Sequence, residues 1–162
     1  MRLFGLRARL VVALLFGPVL FGVVVFGLGG CGGVSARARL VASADRVCAG
    51  LNARLNQTAV SVRSSHAVLA RNASEHAAIE RQAITRLAGL RPPVDLAHDW
   101  ARLLSDRRQL VTQLLALAHA WASNDQPVIK QLAASKVRLH RKIKALAARD
   151  GFKDCSRVGP PI

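Results

Sequence analysis

Between Leu96 and Trp121 the apolar residues fall in alternating steps of four and three: Leu96, Trp100, Leu103, Leu110, Leu114, Leu117 and Trp121, with Arg107 in the one gap. A helix with that spacing has a single apolar face and must bury it against another helix. Ile129, Leu132, Leu139, Ile143 and Leu146 repeat the pattern in the next segment. Ala, Leu, Arg and Gln dominate from Ser43 to Asp150, and β-branched runs are absent, so this whole stretch reads as helix, with Ser43 and Asp45 suited to its first turn.

Two sets of breakers divide it. Pro92 and Pro93 in GLRPPVD end one helix and open the next, with Asp95 and Asp99 favouring the new N-terminus. In SNDQP, Asn124 or Asp125 can cap the last helix and Pro127 suits its first turn. Gly151 is placed for a left-handed cap, with Phe152 as the apolar lid after it.

No Pro or Gly interrupts residues 51–88, so one very long helix competes with two shorter ones. Cys48 and Cys155 decide between them. They lie at the two ends of the helical stretch, and an oxidising exterior would pair them. Ends of an up-and-down bundle meet only when the number of helices is even; three helices would separate the cysteines by tens of ångströms, against a bridgeable Cα separation of about 6 Å. The chain must therefore reverse within 61–75, where Ser64, Ser65 and Asn72 to Ser74 are capping candidates. The expectation is an all-α fold: an up-and-down antiparallel four-helix bundle of about 43–62, 66–89, 95–122 and 126–149, closed by one disulfide and preceded by a signal helix.

The N-terminus implies export. Arg2, Arg7 and Arg9 precede a charge-free run from Leu10 to Leu28, the order of a bacterial export signal. Its length does not separate a leader from an anchor, because secretory cores run about 7–15 residues and a span needs roughly 20. Its end is more informative. Leu28, Gly29, Gly30 and Cys31 resemble a bacterial lipobox, a branched aliphatic and two small residues before the cysteine that receives the lipid. Residues 1–30 are then a lipoprotein signal peptide, 31–42 a basic tether, 43–155 the bundle and 156–162 a flexible tail. The protein is expected to be anchored by acyl chains such as palmitate on Cys31, on the outer face of the bacterial cytoplasmic membrane.

Without residues 1–30 the chain keeps 132 residues, with 21 Lys and Arg against nine Asp and Glu. So basic a balance favours anionic partners, here lipid head groups or wall polymers. There is no Tyr and aromatic residues are few, so the stacking platform of a single-strand nucleic-acid binder is missing. On the fourth helix Lys130, Arg138, Arg141, Lys142, Lys144 and Arg149 share the arc opposite the leucine seam, which makes them candidates for contact with an anionic surface.

Catalytic and metal motifs are missing. Glu75 and Glu80 are the only glutamates, too few for a di-iron bundle, and there is no CxxC, GxSxG, HExxH or phosphate loop. No cofactor and no enzymatic activity are expected. Asn56 and Asn72 match a glycosylation pattern by chance. One polar feature stands out. Arg107 interrupts the third seam eleven residues after Leu96, and Glu80 lies centrally on the second helix ten before Leu90. Counted from their common link they reach the same height, which predicts a buried Glu80–Arg107 pair with Thr58, His76 and His140 near its layer. The pair either fixes helix register or anchors an acidic ligand, so a small-ligand carrier or sensor is the alternative to a binding or structural module. A protein partner is not identified by the sequence.

ADRVCAGLNARL, RLAGLRPPVDLAHDWARLL and GFKDC together resemble small exported helical proteins and lipoproteins of actinobacteria, which carry an early cysteine, a Pro-Pro link before a long helix and a late cysteine after a glycine turn. The resemblance spans most of 44–155. It implies a helical bundle with a Cys48–Cys155 bond and implies no activity.

Overall fold

The computed structural model describes residues 34–157. The expected signal peptide, the lipobox with Cys31, and the tail beyond Arg157 lie outside the described residues. Those described form a helical bundle of four α-helices: α1 (Ala36–Gln57), α2 (His66–Ala88), α3 (Ala97–Ala122) and α4 (Gln126–Arg149), with a short 3-10 turn at Val94–Leu96 leading into α3. α2 packs on α3, α3 on α4 and α1 on α2.

The first helix starts earlier than expected. Ser35 caps α1, its Oγ accepting from Ala38 N at 3.1 Å. Residues 36–42, ARARLVA, are good helix formers with nothing to stop them, so the expected basic tether is largely the first turns of α1. α1 also ends earlier, at Gln57 rather than 62. The Thr58 hydroxyl donates back to Arg54 O and Leu55 O, both at 3.2 Å, and the segment after it, AVSVRSS, is rich in Val and Ser, which are weaker helix formers than Ala or Leu. The reversal occupies 58–65. Of the capping candidates, Ser65 takes the N-cap position of α2, whereas Asn72 lies inside α2.

Both later turns use the same cap geometry. At the end of α3, Asn124 takes the left-handed conformation with φ 56°, Asn124 N donates to Trp121 O and Asp125 N to Ala120 O. Asp125 then caps α4, accepting from Val128 N at 3.1 Å. At the end of α4, Gly151 has φ 91°, Gly151 N donates to Ala148 O and Phe152 N to Ala147 O. Each is a Schellman motif, which satisfies carbonyls the helix end leaves open. The second one throws Phe152 inward, where it is buried and its ring lies 5.5 Å from that of Trp100.

The main core draws on all four helices, with Leu40, Ala44 and Cys48 of α1, Ala77, Ile84 and Leu87 of α2, Leu103 and Leu110 of α3, and Leu139, Ile143 and Leu146 of α4. Cys48 and Cys155 are bonded, with Cα atoms 4.9 Å apart at a sequence separation of 107. α1 holds the chain around Cys155 by a row of polar side chains about two turns apart. Arg37 donates to Asp150 O, Asn52 donates to Asp154 O, and the Asp45 carboxylate accepts from the backbone of Lys153, Asp154 and Cys155 at 3.0, 2.9 and 3.3 Å. A carboxylate with three N–H donors is a strong clamp, because charge-assisted hydrogen bonds are roughly twice as strong as neutral ones.

Candidate functional site

Two groupings of polar side chains stand out, one inside the bundle and one outside. The inner one begins on α2, where Asn72, His76 and Glu80 recur every four residues on a buried face. Glu80 and Arg107 meet there: Arg107 Nη1 donates to Glu80 Oε2 at 3.0 Å, and the side chains are only 4% and 5% exposed. The other terminal nitrogen of Arg107 donates to Cys155 O at 3.4 Å and lies 3.7 Å from Cys48 Sγ. The ion pair therefore touches the disulfide directly. Burial pushes the Glu80 carboxyl above its ordinary range, and the Arg107 charge and hydrogen bond pull it the other way.

A turn away, His76 Nε2 lies 3.0 Å from Thr58 Oγ1, and Asn72 Nδ2 donates to Thr58 O. This contact ties the α1–α2 reversal to α2 and explains why Asn72 is a helix-interior residue here. Burial holds His76 at a pKa of about 4, with the charge of Lys136 adding to the effect; His140 is held at about 4 by burial, Lys136 and Arg107. Both rings are thus neutral near pH 7.

Lys136 was not singled out by the sequence analysis. It is buried on α4, has no carboxylate within 4 Å among the described residues, and is lowered to about 8 by burial. The signal for it was present. Leu132 and Leu139 flank the same kind of seam gap on α4 that Leu103 and Leu110 flank on α3, and Lys136 fills it. Asp45 was read as a first-turn residue; its carboxylate serves the closing loop instead. Asp106 is buried beside the Arg107 seam and accepts from Lys142 at 2.7 Å.

The space beside Glu80 and Arg107, with His140 and Asn52 in its wall, amounts to about 10 Å³. That is room for about one water, so the layer is a filled polar core rather than a ligand chamber. Among the described residues no group of three or more His, Cys, Asp or Glu is placed to hold a metal ion.

The outer grouping is the charge on the surface. Nineteen of the 21 Lys and Arg after residue 30 are exposed; the exceptions are Arg107 and Lys136. Of the nine Asp and Glu only Glu75, Asp95 and Asp125 are exposed. The interior and the caps take up the acids, so the surface is more one-sided than the composition. α4 has no acidic residue at all, and Lys130, Arg138, Arg141, Lys142, Lys144 and Arg149 are all exposed on it. Two are engaged within the chain: Lys142 pairs with Asp106, and Arg149 pairs with Asp99 and Asp150. Lys130, Arg138, Arg141 and Lys144 have no carboxylate within 4 Å among the described residues. A shallow hollow of about 230 Å³ lies between Arg102, Lys142 and Arg149, floored by Ala145 and Leu146, but two of its three cations are already paired.

The chain matches no protein-family model, no curated protein and no solved structure. Among the described residues no helix is long and apolar enough to cross a membrane.

Proposed function

We propose that this protein is a non-enzymatic lipoprotein of the bacterial cell envelope, held by lipid on Cys31, whose bundle surface binds anionic polymer or lipid. The observation that carries the reading is the partition of charge just described, with nearly every cation outside and most acids buried or engaged. In this reading the bundle is of the up-and-down antiparallel kind. Three contacts support that topology: the ring of His66 at the start of α2 lies 5.1 Å from that of Trp121 at the end of α3, Arg37 at the start of α1 pairs with Asp95 before α3, and Cys48 reaches Cys155. The resemblance of the motifs around both cysteines and the Pro-Pro link to exported helical proteins of actinobacteria supports the same reading.

The unpaired cations of α4 are the proposed contact. Near an anionic surface each is worth on the order of 1 kcal/mol, screened within about 8 Å at physiological salt. The full chain, in detergent, is titrated with polyphosphate and with a purified phosphate-linked wall polymer. Reversing Lys130, Arg138, Arg141 and Lys144 to Glu should weaken binding roughly tenfold or more at low salt, and the difference should close as salt rises. Wild-type protein that shows no salt-sensitive binding would overturn the proposal.

A further inference from the structure

The two ends of the bundle differ. At one end the described chain begins, α4 finishes and the Pro-Pro link passes into α3. Arg37 ties these together, pairing with Asp95 at 3.4 Å and donating to Asp150 O at 3.2 Å. Two strongly exposed apolar side chains stand there, Val34 at 61% and Val94 at 95% exposure. Val94 is not a loose residue. Pro92 and Pro93 precede it, Pro93 being extended with φ −65° and ψ 160°, and Leu96, two residues on, is buried. A rigid link thus holds a β-branched apolar side chain in water at a fixed place, with nothing in the described chain covering it.

Cations surround these valines. Arg37, Arg39, Arg91 and Arg149 are all exposed at this end. Its acids are all engaged: Asp95 with Arg37, Asp99 and Asp150 with Arg149, Asp154 with Arg157, and Asp45 with the backbone of 153–155. Arg39 and Arg91 have no carboxylate within 4 Å among the described residues. The opposite end also exposes valines, Val62 strongly and Val128 less so, but Arg63 is the one cation on the loop that carries Val62, and Asp125 is exposed there. Finally, Val34 follows Cys31 by three residues, which reach at most about 10 Å when extended.

We infer that this end of the bundle, the start of α1 with the Pro-Pro link, is a docking surface for an anionic lipid bilayer, with Val34 and Val94 entering the interface and Arg37, Arg39 and Arg91 at the head groups. The inference rests on the lipid-anchored reading and divides its two partners. With a rise of 1.5 Å per residue, Arg138 stands about 17 Å and Lys130 about 28 Å beyond Arg149 along α4. Both distances exceed the screening length of about 8 Å, so an end-on bundle presents these cations to polymer above the membrane rather than to lipid.

The test uses the full lipidated chain reconstituted in phosphatidylglycerol vesicles with brominated acyl chains. Val94→Trp, Val137→Trp on the outer face of α4, and Val62→Trp are compared with wild type, whose own emission comes from Trp100 and Trp121. All three positions are exposed, so the fold tolerates the changes. The expected result is a blue shift and bromine quenching of the added emission for Val94→Trp alone. Quenching of Val137→Trp instead would mean that the bundle lies on α4, and quenching of Val62→Trp that the other end docks; either overturns the inference, as does the absence of quenching in all three while the protein floats with the vesicles. Mass spectrometry of Cys31 separates the two levels. A lipidated chain with unquenched Val94→Trp sinks the docking surface and leaves the anchor standing, whereas a chain without lipid on Cys31 removes both.

Discussion

Replacing Glu80 with Leu strands the Arg107 guanidinium in a site where its side chain is 5% exposed. Nη1 loses its only acceptor, Nε already has none, and the remaining contacts are the 3.4 Å bond to Cys155 O and the disulfide sulfur. Breaking a buried pair from one side costs about 3–5 kcal/mol. For a domain of this size that lowers Tm by roughly 10–20 °C. Glu80→Leu combined with Arg107→Met removes both charges and keeps volume, so its charge penalty disappears; what remains is the orphaned Cys155 carbonyl, worth about 1 kcal/mol. The double variant should therefore be more stable than the single one by about 2–4 kcal/mol. Urea unfolding of the three proteins followed by far-UV circular dichroism, with the disulfide intact, measures this. A single variant within about 1 kcal/mol of wild type, or a double variant no better than the single, would show that the pair does not carry a buried charge cost and that the layer is wetter than its burial indicates.

Acid should unfold the protein through its histidines. His76 and His140 titrate at about 4 when folded and near 6.5 when unfolded, so between those values the unfolded chain holds more protons, and their contribution is whole above 6.5, falls with pH and is lost below 4. Each should cost about 1–2 kcal/mol at pH 5, while Glu80, raised in the fold, works in the opposite sense; a His76→Gln, His140→Gln variant with the same loss of stability between pH 6.5 and 4 would refute the assignment. Lys136→Met should stabilise the fold by about 2 kcal/mol at pH 7, because Lys136 is lowered to about 8. That advantage should shrink between pH 8 and 10.5, where the unfolded chain alone keeps the proton; a destabilised variant in a urea titration at pH 7 would mean that the ammonium has a compensating partner.

The sequence by itself determined the helices and their seams, because apolar spacing and the residues at the turns are local properties. α2, α3 and α4 start or end within a residue or two of where Pro92, Asn124, Pro127 and Gly151 place them. It also determined the height at which Glu80 and Arg107 lie, since helical rise per residue is constant and the two are counted from one link. The even number of helices followed from the positions of Cys48 and Cys155 under the assumption that they pair, and they are bonded in the fold. Tertiary structure alone decided what the other polar side chains meet. Asp45 looked like a helix-start residue because acids are favoured there, yet its carboxylate is taken by a loop 108 to 110 residues away. Asn72 looked like a cap, yet it bonds Thr58 O across the reversal and stays in helix. Lys136 occupies a seam position by spacing, but only packing of α4 against its neighbours shows that its charge is left without a carboxylate. The partition of charge, acids inward or engaged and cations outward, is likewise invisible in a count of residues: in the fold every acid except Glu75 has a donor, whereas most of the arginines have no carboxylate within 4 Å among the described residues.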